Sequence, residues 1–487
     1  MVDRQDDPSD VPKGGSLDEA IVEEFAAGFR GEPISPEDDS YDEARKVYNG
    51  MIDKRPALIV RPTGAADVID AVNLARENGL SLAVRCGGHS VSGKGVVDDG
   101  VLIDLSSLKG VRVDSGSRRA RANAGTLWGE FDRETQLFGL ATPGGRVTTT
   151  GVGGFTLGGG YGWLSPKWGL TCDNLISVDV VTAEGRLLTA SEEENDDLFW
   201  GMRGGSGNFG VVTSYEFRLH QLGPIVLGGL ALHPIDDAKN VIRGYRDYVE
   251  TAPEELATGT AILQAPPAPF IPEHLHGKPV LGIPAIYVGD ADEGREVMAP
   301  LKELGPPAVD MIQPMPYTAF QALLDPFAPQ GWLNYHRGMH LSGLPDEAVD
   351  IYVEYASEIA LFSNPMTQTI LFRHGGAVSR VSEDATAAGH RDAAYMVHPI
   401  ACWQDPTQSE RHIDWVGRFS EAMRPFTTGG VYLNFEPDEG EERVRAGYGA
   451  EKYARLVALK DKWDPENLFR VNQNVKPSRE TRVPTPA

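Results

Sequence analysis

The segment Gly144-Gly-Arg-Val-Thr-Thr-Thr-Gly151-Val-Gly-Gly-Phe-Thr-Leu-Gly158-Gly-Gly-Tyr-Gly162-Trp163 constrains this chain more than any other. Every glycine held in a fold loses more backbone freedom than any other residue, and it returns no side-chain contact. A flexible linker would not interleave Val152, Phe155, Leu157, Tyr161 and Trp163, which are packing residues. Such density is rational where a large planar or phosphorylated ligand lies against main chain. A second glycine turn, Val84-Arg85-Cys86-Gly87-Gly88-His89-Ser90-Val91-Ser92-Gly93, follows an apolar strand pattern. Successive N–H groups in such a turn can cradle a pyrophosphate, although alone the turn is a weak signal.

Around these turns the periodicities are regular. Residues 57–61 read as a buried strand, 65–78 as a helix with Val68, Ile69, Val72 and Ala75 on one face, and 82–85 as a second strand. This β-α-β start continues with strands at 101–105, 118–122 and 211–219, a helix at 126–137, and a hairpin of 176–182 with 186–189. A chain of 487 residues exceeds one core, so two domains are expected. Residues 1–40, acidic and rich in Pro and Gly, read as a poorly ordered arm. Residues 41–221 read as a first domain, 222–428 as a Pro-interrupted second one, and 429–487 as a C-terminal segment.

Several function classes drop out. Gly205-Ser-Gly-Asn-Phe-Gly210 fits GxGxxG, yet a helix pattern precedes it and a strand follows, the reverse of a dinucleotide fingerprint. No HExxH, P-loop or GxSxG motif occurs. Cys86, Cys172 and Cys402 match neither a disulfide framework nor a metal spacing, so no metal is expected. The net charge of -25 repels nucleic acid and anionic membranes. No apolar run approaches the roughly 18 residues of a membrane span, and the charged start Met1–Asp7 differs from a secretory signal. A cytoplasmic protein is expected, of unknown oligomeric state.

Further segments complete the pattern: Gly169-Leu-Thr-Cys-Asp-Asn-Leu175, Val178-Asp-Val-Val-Thr-Ala-Glu-Gly185, Thr386-Ala-Ala-Gly-His390-Arg391, Lys462-Trp-Asp-Pro-Glu-Asn-Leu-Phe-Arg470 and Asn472-Gln-Asn-Val475. With both glycine turns, they resemble the vanillyl-alcohol-oxidase superfamily, in its berberine-bridge-enzyme-like branch, over roughly residues 45–477. The resemblance implies an α+β fold: a PCMH-type FAD-binding domain of two subdomains, split in sequence into 41–221 and 429–487. The inserted substrate domain, 222–428, would be an antiparallel sheet covered by helices. FAD is the implied cofactor, bonded through His89 to the flavin 8α-methyl. In many members a cysteine four residues before the glycine of Gly-Val-Gly-Gly adds a second bond. Here that position is Val147, so attachment is expected to be single, with Cys172 not attached.

The cofactor-binding residues so implied are Arg85, Cys86, Gly87, Gly88, His89, Ser90, Gly93, Val147, Thr149, Thr150, Gly151, Gly154, Gly159, Gly160, Gly162, Trp163, Asn174, Val212, Tyr432, Asn434 and Asn472. Thr150 matches the position on the oxygen-access face, where a small residue admits dioxygen. A monocovalent subgroup with threonine there forms a flavin N5-oxide. In Gly429-Gly-Val-Tyr432-Leu-Asn434-Phe-Glu436, strand alternation puts Tyr432, Asn434 and Glu436 on one face. The resemblance gives Tyr432 the role of proton acceptor, which requires its pKa, ordinarily about 10, to be lowered by charge or hydrogen bonds. The carboxylate some relatives carry five residues before the His of His-Arg is Ala385 here. His336, His340, Tyr335 and Tyr395 are further pocket candidates, and no basic cluster signals an acidic ligand. The leading expectation is an FAD-dependent oxidase of a small alcohol, hemiacetal or amine, with hydride to N5 and dioxygen reduced to hydrogen peroxide. An N5-oxide-type oxygenase, a dehydrogenase using another acceptor, and a non-enzymatic FAD-binding role stay open.

Overall fold

The computed structural model describes residues 17–362 and 364–481. Strands Glu32–Ile34, Leu58–Arg61, Val101–Asp104 and Leu82–Arg85 form a sheet in that spatial order. The last three run parallel, and Leu58, Ile59, Val60, Leu102 and Ile103 are fully buried, as strands covered on both faces must be. Helix Ala65–Glu77 turns Val68, Ala71, Val72 and Ala75 into the core shared with a second, antiparallel sheet. That sheet is ordered Val111–Asp114, Arg119–Asn123, Val211–Arg218, Leu175–Val181, Leu187–Ser191. Two α/β subdomains thus share one apolar seam.

The arm expected over 1–40 needs correction. Residues 1–16 lie outside the described residues. Helix Glu19–Gly28 begins at Asp18, whose carboxylate accepts the Ala20 N–H, and Glu32–Ile34 pairs with Leu58–Arg61. Acidic composition concealed a few anchoring apolar groups. Phe25 stacks on Phe29 at 4.8 Å, Ile21 and Val22 pack on the core, and Phe29 and Ile34 are buried.

Residues 225–431 supply a ten-stranded antiparallel sheet. Its central strands are Ile225–Pro234, Pro279–Tyr287, Leu256–Gln264, Gln368–Arg373 and Tyr395–Trp403, in that order. Alternation divides their side chains. Ile262, Leu281, Ile283, Leu371 and Val397 join a core with helices Ala238–Val249, Asp346–Ser357 and Ser409–Met423. Ile370, Phe372 and Met396 face the other way, toward Tyr161, Trp163 and Leu170 of the glycine-rich stretch. The register pairs His336 and Gln368 with Ile400, and Ile370 with His398, so these residues share one wall.

After Ala450–Trp463 the chain returns to the first domain through a buried ion pair. Lys460 and Asp464 are both fully buried, and Lys460 Nζ also donates to the Asn208 and Phe469 carbonyls, at 2.8 and 2.9 Å. Asp464→Ala leaves an unpaired buried ammonium. It is expected to destabilise the protein by about 3–5 kcal/mol, read as a shifted denaturant midpoint.

Candidate active site

A cavity of about 340 Å³ lies between the two glycine turns and the open face of the large sheet. Gly87 and Gly151 bring the turns together backbone to backbone. A Cβ on either would collide with the nitrogen of the other, so only glycine permits the approach. Gly154, in the first turn of helix Val152–Leu157, borders the cavity, and a Cβ there would meet nothing within 4 Å. The cavity thus has bare main chain along one end, the surface that a large flat or phosphorylated ligand requires.

His89 stands beside this surface. Its ring stacks on Tyr48, with centroids 4.3 Å apart and planes 14° apart. Nε2 lies 2.9 Å from Thr149 Oγ1, and Nδ1 has no partner among the described residues. Burial lowers the imidazole pKa to about 4, so the ring is neutral at physiological pH. In the tautomer whose Nε2–H is donated to Thr149 Oγ1, Nδ1 offers a lone pair. Arg85 also borders the cavity but is consumed structurally, pairing with Asp104 at 2.7 Å and donating to the Lys46 carbonyl at 2.8 Å. Cys86 borders it too. Its thiol donates to the Ala124 carbonyl at 2.6 Å, and burial raises its pKa to about 11, so it is no thiolate.

Of the sequence-expected residues, Arg85 to Ser90, Val147, Thr150, Gly151, Gly154, Val212, Asn434 and Asn472 border the cavity. Thr149 stands behind His89. Gly93, Gly159, Gly160, Gly162, Trp163 and Asn174 do not border it. A Cβ at Gly162 or Gly160 would strike Gly144 or Thr171, so these glycines serve close packing. Gly93, at φ 69°, packs on Ile52 in the same way, and Gly159 adopts φ 101°. Trp163 is packed edge-on to Phe320. Asn174 donates to the Trp168 and Leu170 carbonyls and holds its own loop. Cys172 is fully buried away from the cavity, with its thiol pKa raised to about 12.

The expected alternation at Tyr432 also fails. The strand ends at Val431 and a 3₁₀ turn follows over Leu433–Phe435. Residues 433–436 therefore all border the cavity, whereas Tyr432 does not. The Tyr432 oxygen accepts the Tyr161 N–H at 3.0 Å and Asn434 Nδ2–H at 3.1 Å. Burial nonetheless raises its pKa to about 12, against the opposing pull of these bonds and Arg146. Glu436, buried beside Arg443, is raised to about 7 by desolvation.

Among His336, His340, Tyr335 and Tyr395, only His336 borders the cavity. Tyr335 donates to Glu439 at 2.8 Å, outside it. Arg391 forms two hydrogen bonds to Asp173, at 2.6 and 2.9 Å, and is likewise structural. Sequence reasoning missed Tyr48, Arg146, Gln368, Phe372 and His398, all on the cavity. It also missed that Ser206, Gly207 and Gly210 of the discarded GxGxxG border it. Positive φ at Ser206 and Gly207, 59° and 76°, turns that loop inward. A polar loop-borne end, a neutral imidazole at its edge and an apolar sheet-borne end fit FAD. The glycine turns would hold the nucleotide part, while His89, Thr150 and Asn434 would meet the ring system.

Comparisons with known proteins agree. Residues 56–191 match the family model of an FAD binding domain, and residues 431–476 match the model described as "Berberine and berberine like". An FAD-linked oxidoreductase of Dictyostelium discoideum is 32% identical, covering 94% of this chain and 97% of its own. (R)-6-hydroxynicotine oxidase of Paenarthrobacter nicotinovorans is 30% identical, over 92% and 97%. The crystal structure of 6-hydroxy-D-nicotine oxidase from Arthrobacter nicotinovorans superposes with a TM-score of 0.82 at 28% identity, covering 92% of this chain and 98% of that one. A chitooligosaccharide oxidase structure shares the fold, with a TM-score of 0.81 at 23% identity over 94% and 100%. The chain belongs to the berberine-like family of FAD-linked oxidoreductases.

Proposed function

We propose that this protein is an FAD-dependent oxidase of a small organic molecule, an alcohol, hemiacetal or amine, with the flavin bonded once, to His89. The carrying observation is that one cavity joins His89 and the glycine turns to Gln368, Ile370, His398 and Ile400 of the large sheet. Bound FAD would supply the redox chemistry, taking hydride at N5 and passing two electrons to dioxygen to yield hydrogen peroxide. The chain's part is to orient, exclude water and move a proton. Thr150 borders the cavity with a small side chain that leaves room for dioxygen. Tyr432 is proposed as the proton acceptor: the Tyr161 N–H and the Asn434 amide donate to its oxygen and offset part of the rise in pKa that burial imposes. The boundaries near 221 and 428 mark where the oxidising and substrate-binding parts join.

Three measurements test this reading. A screen of alcohols, sugars and amines should find one that bleaches the flavin without oxygen and yields stoichiometric peroxide with it; bleaching without peroxide would point to another acceptor. Peptide mapping should find flavin on the His89 peptide and none on the Cys172 peptide. Thr149→Val removes the hydroxyl that fixes the His89 ring, so a lower acid-stable flavin fraction is expected at equal total flavin.

A further inference from the structure

We infer that the cavity takes a substrate bearing a carboxylate, or a comparable anionic oxygen group, on an apolar frame, with the Arg146 guanidinium as its anchor. The inference rests on the oxidase reading above and adds the substrate's charge to it.

Arg146 borders the cavity and is only 9% exposed. It forms no ion pair among the described residues. Its guanidinium carbon lies 3.6 Å from the Phe372 ring centroid, 4.7 Å from that of Tyr161 and 4.9 Å from that of Trp163. These faces attract a cation but accept none of its hydrogen bonds in the way an oxygen would. One long contact, Nη2 to the Gly162 carbonyl at 3.5 Å, and the neighbouring Tyr161 hydroxyl are its protein partners. Nε has none. A guanidinium carries five N–H donors in a fork shaped for a carboxylate. Burying that fork with donors unmet is costly unless a ligand meets them.

Every other formal charge on the cavity wall is balanced within the protein. Arg85 pairs with Asp104, Lys94 with Asp438, and Glu436 with Arg443. His336 and His398 are kept neutral by burial. Both nitrogens of His336 and Nε2 of His398 lack partners, leaving polar atoms for the rest of a ligand. Ile370, Ile400, Phe372 and Phe327 supply the apolar frame. The chain's net charge of -25 disfavours anions at long range, so this lone cation serves recognition at contact distance rather than steering.

The test is a spectral titration of the holoenzyme with benzoate and phenylacetate, each against its neutral amide, benzamide or phenylacetamide. Visible flavin absorbance reports occupancy. The carboxylates are expected to bind at least tenfold more tightly than the amides. Arg146→Gln should erase that preference while keeping the flavin and the melting temperature, and Arg146→Lys should restore part of it. Should Arg146→Gln not fold, the carboxylate-to-amide ratio of the wild type and of Arg146→Lys decides. Equal affinity for acid and amide, or no binding of either acid, overturns the inference. So does an Arg146→Gln protein that keeps its carboxylate preference but no longer forms a sulfite adduct, because the guanidinium then serves the cofactor. A preparation without flavin fails the oxidase reading itself, whereas a yellow protein indifferent to charge fails only this inference.

Discussion

His89→Ala is expected to leave no flavin on the polypeptide after acid precipitation, where the unsubstituted protein retains a full equivalent. Forming a carbon–nitrogen bond needs an imidazole lone pair, which a protonated ring lacks. Burial lowers the His89 pKa to about 4, so the neutral form prevails above that pH. Attachment during reconstitution of apoprotein should therefore be flat between pH 5 and 8 and fall only on approach to pH 4. The substitution removes the stack on Tyr48 and the Thr149 bond, each worth about 1 kcal/mol. A cavity-edge residue can lose both without unfolding the domain. Flavin released by acid from the unsubstituted protein would refute the covalent assignment while leaving FAD binding intact.

Tyr432→Phe is expected to slow anaerobic flavin reduction by about 10²- to 10⁴-fold, the range of general acid–base assistance. The sign of the pH dependence follows from the direction of the shift. A base acts when deprotonated, and burial raises Tyr432 to about 12. The phenolate fraction, and the reduction rate with it, should rise about tenfold per pH unit through the neutral range. In Tyr432→Phe the profile should be flat. Loss of one hydroxyl leaves the Tyr161 N–H and Asn434 amide seeking other partners, a stability cost of about 1–3 kcal/mol. A mutant that reduces its flavin at the normal rate would make Tyr432 a structural clamp on Tyr161 and Asn434. The proton acceptor would then be sought at His336 or His398, which border the cavity with unpartnered nitrogens.

Much of the first domain was legible. Strands Leu58–Arg61, Leu82–Arg85, Val101–Asp104 and Val211–Arg218 and helix Ala65–Glu77 fall within a few residues of their expected bounds, because burial on one or both faces writes itself into local periodicity. The site was half legible. Glycines at 87, 151 and 154 lie where main chain faces main chain or cavity, whereas those at 160 and 162 look the same in sequence but fill packing contacts, and Gly159 serves a positive φ. A glycine records that a side chain is forbidden, not what forbids it. The reversed order around Gly205–Gly210 correctly excluded a dinucleotide fold, yet its loop still reaches the cavity.

By itself, the sequence determined most elements of the first domain, the two glycine-rich turns and the absence of a thiol at Val147, since these depend on residues near one another in the chain. Tertiary structure alone decided the substrate end. Gln368, His398 and His336 meet only through the register of three strands. Arg146, one basic residue in a glycine-rich loop, becomes a buried cation only when Phe372 closes over it from across the fold. Charge and hydrophobicity can be counted along a chain, but desolvation depends on which distant surfaces shut out the water.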